Sequence, residues 1–260
     1  MRSLADTPGS TPESGGENLF RRSDFVVSNV DEERTASNSA TPNVRTTAEI
    51  AADSLTLKIF DGQFEPGTRL AEVALAEELG ISRNTLREAF RLLAHAGLVV
   101  HLPNRGVFVL KTTPALLNDI YSFRRVVEVG ALHFLEGNEH YLTLLRSIYA
   151  EQLSAIRDSD WMAVGSANGR FHQAIVDAAG SATLSEAMQT INARSRIAFL
   201  QYDDIPGLHG HYSKINGQLL SLMERGAMKD ATELLDQYLI SAHNELFMGL
   251  GFYKTELFDD

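Results

Sequence analysis

The sequence predicts a mainly helical fold in two parts: an amino-terminal module of three short helices closed by a β-hairpin, then an all-helical antiparallel bundle. Three observations predict it. Apolar residues recur at spacings of three and four from Arg45 onward, broken by short Gly, Pro, Ser or Asn connections. Residues 98–110 depart from that period and carry two short apolar runs on either side of Pro103-Asn104-Arg105-Gly106. A length of 260 residues suits two ordinary domains and a tail. The expected divisions are 1–44, 45–111 and 112–260.

Residues 1–44 are rich in Ser, Thr, Asn, Pro and Gly and read as a disordered tail, with Leu19–Val27 as a candidate recognition peptide. From Arg45 a first helix is expected on Ile50, Ser54, Leu57 and Ile59 or Phe60, ending at Asp61-Gly62, and Pro66-Gly67 marks the turn after it. A second, at about 72–79, turns Val73, Leu75, Ala76 and Leu79 inward and stops at Gly80. Ser82 then caps a third helix with Leu86, Ala89 or Phe90, and Leu93 on its apolar face. Leu98–Val100 and Val107–Leu110 supply the hairpin strands.

Beyond Thr113-Pro114 the pattern is helical throughout. The first bundle helix is expected to bury Leu116, Ile120, Phe123, Val127, Ala131 and Phe134. Further helices follow at about 139–157, 160–179, 182–201, 210–225 and 228–248, with Pro206-Gly207 read as a loop. Connections this short imply antiparallel neighbours.

Composition narrows the function classes. Without cysteine there is no disulfide, thiolate nucleophile or zinc finger. No window is apolar enough for a spanning helix and no secretion signal is evident, so the chain reads as soluble and cytoplasmic. The net charge of −11 argues against a nucleic-acid partner only as an average. Residues 45–111 hold 8 basic and 8 acidic residues, and the surplus of acid lies mainly beyond them. Arg83, Arg87, Arg91 and Arg105 follow residue 82, while Glu72, Glu77 and Glu78 precede it, which gives this segment one basic edge.

Three helices with a tight turn before the third, followed by a hairpin, is the order of a winged helix-turn-helix. Arg83 and Arg87 lie four apart on the third helix, opposite its packing face, so one can reach a base edge while the other grips a phosphate. Ser82, Asn84 and Thr85 sit at the helix start, where backbone N–H groups favour phosphate. Arg105-Gly106 at the wing tip can enter a minor groove. An isolated Arg-x-x-x-Arg is more often a solvated face; the turn and wing shift that reading. The run IFDGQFEPGTRLAEVALAEELGISRNTLREAFRLLAHAGLVVHLPNRGVFV resembles the amino-terminal domain of the GntR family of bacterial regulators, departing at Asn84-Thr85-Leu86 and Phe90. The resemblance implies DNA contacts by Arg83, Arg87, Arg105 and Gly106, and operator binding, by family default as a repressor.

The helical half is similar to the FCD subfamily of that family, on RRVVE (Arg124 to Glu128), NGRFHQAIVDAAGSATL and NGQLLSLMERGAMKDA. That resemblance implies a bundle that senses a small metabolite, often a carboxylate, frequently through a divalent metal. The four metal-ligand positions fall on Asn168, His172, Asn216 and Tyr238. Two amides, a phenol and one imidazole are a poor set for zinc or nickel, so no metal is expected unless His209 or His211 substitutes. The same four groups are instead expected to form a neutral polar cluster that holds the effector directly. His172 alone reads equally as a satisfied core histidine. Arg124 has two readings: a bidentate contact for an anionic effector, or a surface salt bridge with Glu128.

A homodimer on a pseudo-palindromic site is expected, since one such module buries little on DNA. No P-loop, Gly-x-Ser-x-Gly, Gly-x-Gly-x-x-Gly or His-Glu-x-x-His occurs, which leaves no motif for an enzyme. An effector-independent dimeric DNA-binding protein with a relic pocket is the alternative.

Overall fold

In the computed structural model, which describes residues 45–254, helix α1 (Thr47–Phe60) starts in a capping box. Thr46 accepts from the Glu49 backbone while the Glu49 carboxylate receives the Thr46 N–H, so two N–H groups that the first turn leaves free are satisfied. The tail predicted as disordered, 1–44, lies outside the described residues. The buried face of α1 is Ala48, Ala51, Ala52, Leu55, Ile59 and Phe60. This corrects the predicted stripe: Ile50 faces solvent and Leu57 is half-buried. Small alanines set the face, letting neighbouring helices approach, and a search for large apolar residues passes over them.

Strand β1 (Arg69–Leu70), α2 (Glu72–Leu79), α3 (Arg83–His95), β2 (Val99–Leu102) and β3 (Gly106–Val109) complete the module. The sheet is antiparallel in the order β1-β3-β2, with Arg69 opposite Phe108 and Val100 opposite Phe108 from the other side. β1 was not predicted, because two residues are too few to show alternation and only pairing defines them. Gly80 caps α2 at φ +64°, a left-handed conformation that glycine adopts without a Cβ clash, and so makes the tight turn into α3. Leu86, Ala89, Phe90 and Leu93 are buried as expected, whereas Val73 of α2 is exposed.

The bundle comprises α4 (Pro114–Ala131), α5 (Glu139–Arg157), α6 (Trp161–Asp177), α7 (Ala182–Phe199), α8 (Ile205–Glu224) and α9 (Met228–Gly249). Pro206-Gly207, expected in a loop, belongs to the first turn of α8, where Asp204 accepts from the Gly207 N–H and proline needs no N–H partner. α4 packs on α9, α7 and α6, and α6 packs on α5, α7 and α8, so α4 and α6 run through the interior.

The buried side of α4 is Leu117, Ile120, Tyr121, Arg124, Glu128 and Ala131. The expected stripe is therefore rotated: Leu116, Phe123 and Val127 are half-buried and Phe134 is exposed. The reason is that an arginine and a glutamate occupy core positions, which apolar periodicity assigns to the surface. The amino-terminal module and the bundle meet at α7, whose Ala193 and Ile197 pack into the core that also contains Leu55, Ile59 and Leu93. None of the described helices is long and apolar enough to cross a membrane.

Candidate functional site

Two sets of polar side chains stand out, one on the surface of α3 and the wing, one inside the bundle. Ser82 is the N-cap of α3, its hydroxyl accepting from the Thr85 N–H at 3.0 Å and lying 2.8 Å from the Thr85 hydroxyl. This fixes the helix start, with Arg83, Asn84 and Arg87 all exposed beside it. The predicted basic face carries a carboxylate. Glu72 of α2, expected away from it, reaches across to Arg87 at 2.9 Å and Arg83 at 3.4 Å, and Arg87 foremost holds the Glu72 carboxyl below its usual range. Exposed pairs of this kind contribute about 0–1 kcal/mol and exchange readily.

In the wing, Asn104 and Gly106 both take positive φ, and the Arg105 guanidinium lies over the Phe108 ring at 5.8 Å. A Cβ on Gly106 would stand 3.2 Å from Arg69 Nε, so the wing glycine leaves room for a second arginine. Arg69 was missed by the sequence reading, since only the pairing of β1 with β3 brings it there.

Inside the bundle, Arg124 is 1% exposed and Glu128 0% exposed, and Arg124 Nε donates to Glu128 Oε1. The surface-bridge reading of Arg124 is thereby corrected: the pair exists but is buried. Glu128 Oε2 is 2.6 Å from His172 Nδ1, and His172 Nε2 is 3.0 Å from the Tyr238 hydroxyl. Burial lowers the His172 pKa and keeps the ring neutral. Its Nδ1–H then donates to Glu128 and its Nε2 accepts from the phenol. Burial alone would raise the Glu128 carboxyl, but Arg124 and then His172 outweigh it and hold it below its ordinary range.

Asn216 Nδ2 donates to Asn168 Oδ1 at 2.8 Å, so all four expected positions lie in this interior, His172 bonded to Tyr238 and Asn216 to Asn168. The four groups carry no charge themselves, but the interior they share also holds the buried ion pair of Arg124 and Glu128, with Glu128 bonded to His172. From sequence Glu128 enters only as a surface partner of Arg124; its position one turn on, on the same helix face as Arg124, is the signal that could have placed it inside. Two atoms of this interior have no hydrogen-bond partner, Arg124 Nη2 and Asn216 Oδ1. A buried polar atom without a partner costs about 1–3 kcal/mol, and two in one interior mark a place where a ligand or water completes the set.

The residues do not fit a divalent metal. The one imidazole has both nitrogens engaged, burial pushes the Tyr238 phenol up to about 12, and the Arg124 guanidinium already supplies the positive charge beside Glu128. His209 does not repair the set: its Nε2 is turned to Arg196 Nη1 at 3.2 Å, and burial lowers its pKa to about 3. His211 is exposed. Among the described residues no group of three or more His, Asp or Glu is placed to hold a metal.

Next to Arg124 and His172 lies a cavity of about 10 Å³, also lined by Phe60, Gly165, Asn168, Asn192 and Arg196. That is room for on the order of one water. It reaches from the polar cluster to the end of α1.

Comparison with known proteins places both parts. The model of bacterial regulatory proteins, gntR family, matches residues 47–109, and that of the FCD domain matches residues 119–241. A solved structure from Rhodococcus sp. RHA1, classed as a GntR transcriptional regulator, is 31% identical, with a TM-score of 0.70 over 77% of this chain and 97% of that one. The chain belongs to the GntR family. As a GntR chain with an FCD domain it is also similar to the HTH-type transcriptional regulator YdhC of Bacillus subtilis, 31% identical over 52% of this chain and 61% of YdhC. The gluconate operon transcriptional repressor of Bacillus licheniformis is 36% identical over 30% of this chain and 31% of its own length. These relatives are transcriptional regulators and not enzymes.

Proposed function

We propose that this protein is a sequence-specific, homodimeric DNA-binding repressor whose grip on its operator is modulated by a small metabolite, a carboxylate, held without metal in the bundle. The observation that carries DNA binding is the placement of Arg83 and Arg87 on the exposed face of a capped helix, with Arg105 in the wing, held only by surface contacts that a phosphate can replace. Glu72 keeps the two arginines extended and gives them up on contact with DNA. Ser82, Asn84 and Thr85 offer the helix start to a phosphate. The repressor role is supported by the name of the gluconate operon relative.

Arg87→Ala is expected to weaken binding to a duplex selected from a random library by about 1–3 kcal/mol while leaving thermal unfolding unchanged. Fluorescence anisotropy measures it, and undiminished affinity would remove α3 from the groove.

For sensing, the supporting observation is the unpartnered Arg124 Nη2 and Asn216 Oδ1 beside Asn168, His172 and Tyr238. Arg124 Nη2 offers an anion a charged donor while Nε stays on Glu128. A site of this kind works after chelation. Tyr238→Phe is expected to reduce effector-induced DNA release at least several-fold with bare DNA affinity intact. Stoichiometric zinc or nickel by mass spectrometry, with release lost on chelation, would contradict the metal-free site. The small volume of the cavity favours a second reading, an effector-independent DNA-binding dimer. A thermal-shift screen separates the two, since a ligand at about 100 times its Kd stabilises by about 2.7 kcal/mol.

A further inference from the structure

The bundle contains a second buried arginine that neither the DNA interface nor the polar cluster uses. Arg196 of α7 is 2% exposed, and every group it touches is neutral. Its Nε donates to the Phe60 carbonyl at 3.0 Å, Nη2 to the Met162 carbonyl at 3.0 Å, and Nη1 to His209 at 3.2 Å. No carboxylate of the described residues pairs with it; Asp61 and Asp160 act on it only from a distance. Burial lowers its pKa to about 10, which leaves it a cation at neutral pH. Buried cations are ordinarily paired with a carboxylate, and this one is held by neutral acceptors alone.

The surrounding sequence is cut to receive it. A Cβ on Gly165 would lie 1.8 Å from Arg196 Nη1, and a Cβ on Gly169, one turn on, 2.7 Å from the Phe60 ring. Two glycines thus make a groove on α6 in which the guanidinium and the last side chain of α1 lie in line. The Phe60 carbonyl belongs to the final turn of α1, whose backbone carbonyls carry the negative end of the helix dipole. Arg196 therefore caps the first helix of the DNA-binding module from inside the sensor bundle. Arg124, Arg196 and Phe60 all line the same small cavity.

We infer that Arg196 couples the sensor cavity to the DNA-binding module: a small oxyanion entering between Arg124 and Arg196 takes the Arg196 guanidinium as its counter-charge, and α1 loses its cap. The exchange replaces a neutral carbonyl acceptor by a charged one, a roughly twofold stronger kind of hydrogen bond. The cavity is too small for an oxyanion as it stands, so entry also moves the Phe60 ring, and both changes act on α1 together. This rests on the effector reading above and adds the residue through which the effector acts.

The test uses the full chain, a duplex selected against it, and succinate and inorganic phosphate as probe anions. Calorimetry measures anion binding, anisotropy measures DNA affinity with and without anion, and hydrogen exchange follows the amides of residues 56–63. Either anion is expected to bind the wild type, speed exchange in that segment and weaken DNA binding. Arg196→Lys keeps the charge but not the forked geometry, and is expected to weaken anion binding at least about tenfold. Phe60→Leu, which removes the ring that entry displaces, is expected to exchange quickly at α1 without anion and to show no anion effect on DNA. Anion binding undiminished in Arg196→Lys, or bound anion with unchanged exchange at α1, overturns the coupling. Failure of both anions where a neutral metabolite releases DNA overturns it too, and the carboxylate with it, leaving only modulation by a metabolite standing; failure of every compound to alter DNA affinity overturns both readings.

Discussion

Glu128→Ala is expected to destabilise the protein by about 3–5 kcal/mol, because it strands a buried guanidinium and a buried imidazole N–H without their acceptor. The expectation follows from geometry. Arg124 and Glu128 are both almost fully buried, and Glu128 is also the acceptor for His172. The attraction between buried charges roughly offsets the cost of dehydrating them, so the intact pair adds little net stability while its half is costly. A paired replacement, Arg124→Met with Glu128→Leu, is accordingly expected to recover most of the loss in urea unfolding, although it removes the charged donor offered to the effector. The pH dependence has a definite sign. The folded-state carboxyl is held below its ordinary value of about 4.3. Its contribution is therefore complete above that pH and is lost as pH falls through the lower folded-state value. The gap between wild type and Glu128→Ala should narrow only in that acid range. A loss below about 1 kcal/mol at neutral pH would mean that water reaches Arg124.

The amino-terminal module was legible in the sequence because local chemistry specifies it: a serine cap, a glycine at positive φ, a wing turn and an apolar face on α3 that the structure buries as expected. The helix succession of the bundle was legible for the same reason, down to Thr113-Pro114 and Asn138 at helix starts. What escaped depends on partners distant in sequence. β1 exists only through β3, whose paired residues lie 37 and 39 positions later. Arg124, Glu128 and Arg196 occupy core positions that periodicity reserves for apolar side chains, and their pairing partners lie on other helices or one turn away. The alanine face of α1 was misread because closeness of approach, and not side-chain size, decides burial there. Glu72 illustrates the same limit at the surface: its sequence position puts it apart from Arg87, and the helix-turn-helix folds it back within 2.9 Å. Asn168, His172, Asn216 and Tyr238 could be named from the sequence, but not the carboxylate of Glu128 that shares their interior.

Phe60→Ala is expected to cost about 3–5 kcal/mol, comparable with the largest single truncations in a protein core. Phe60 is 5% exposed, and its ring fills the groove over Gly169 where the amino-terminal module meets the bundle. Truncation leaves a cavity that the surrounding helices cannot close, since α6 is fixed there by Asn192, which donates to the Gly169 carbonyl at 3.2 Å. Gly169→Ala approaches the same contact from the other side. Its new Cβ would sit inside van der Waals distance of the ring, an overpacking that costs about 1–3 kcal/mol. The two substitutions should not add, because each disturbs the one contact, and a double variant less destabilised than the sum would report that shared contact. The single tryptophan, Trp161, begins α6 two turns from Gly169 and provides the fluorescence signal for urea unfolding. Ile50→Ala, on the exposed side of the same helix, is the control and should stay within about 0.5 kcal/mol of wild type. If Phe60→Ala proves as mild as that control, the ring does not fill the junction, and α1 is held to the bundle by Arg196 and the α7 apolar contacts alone.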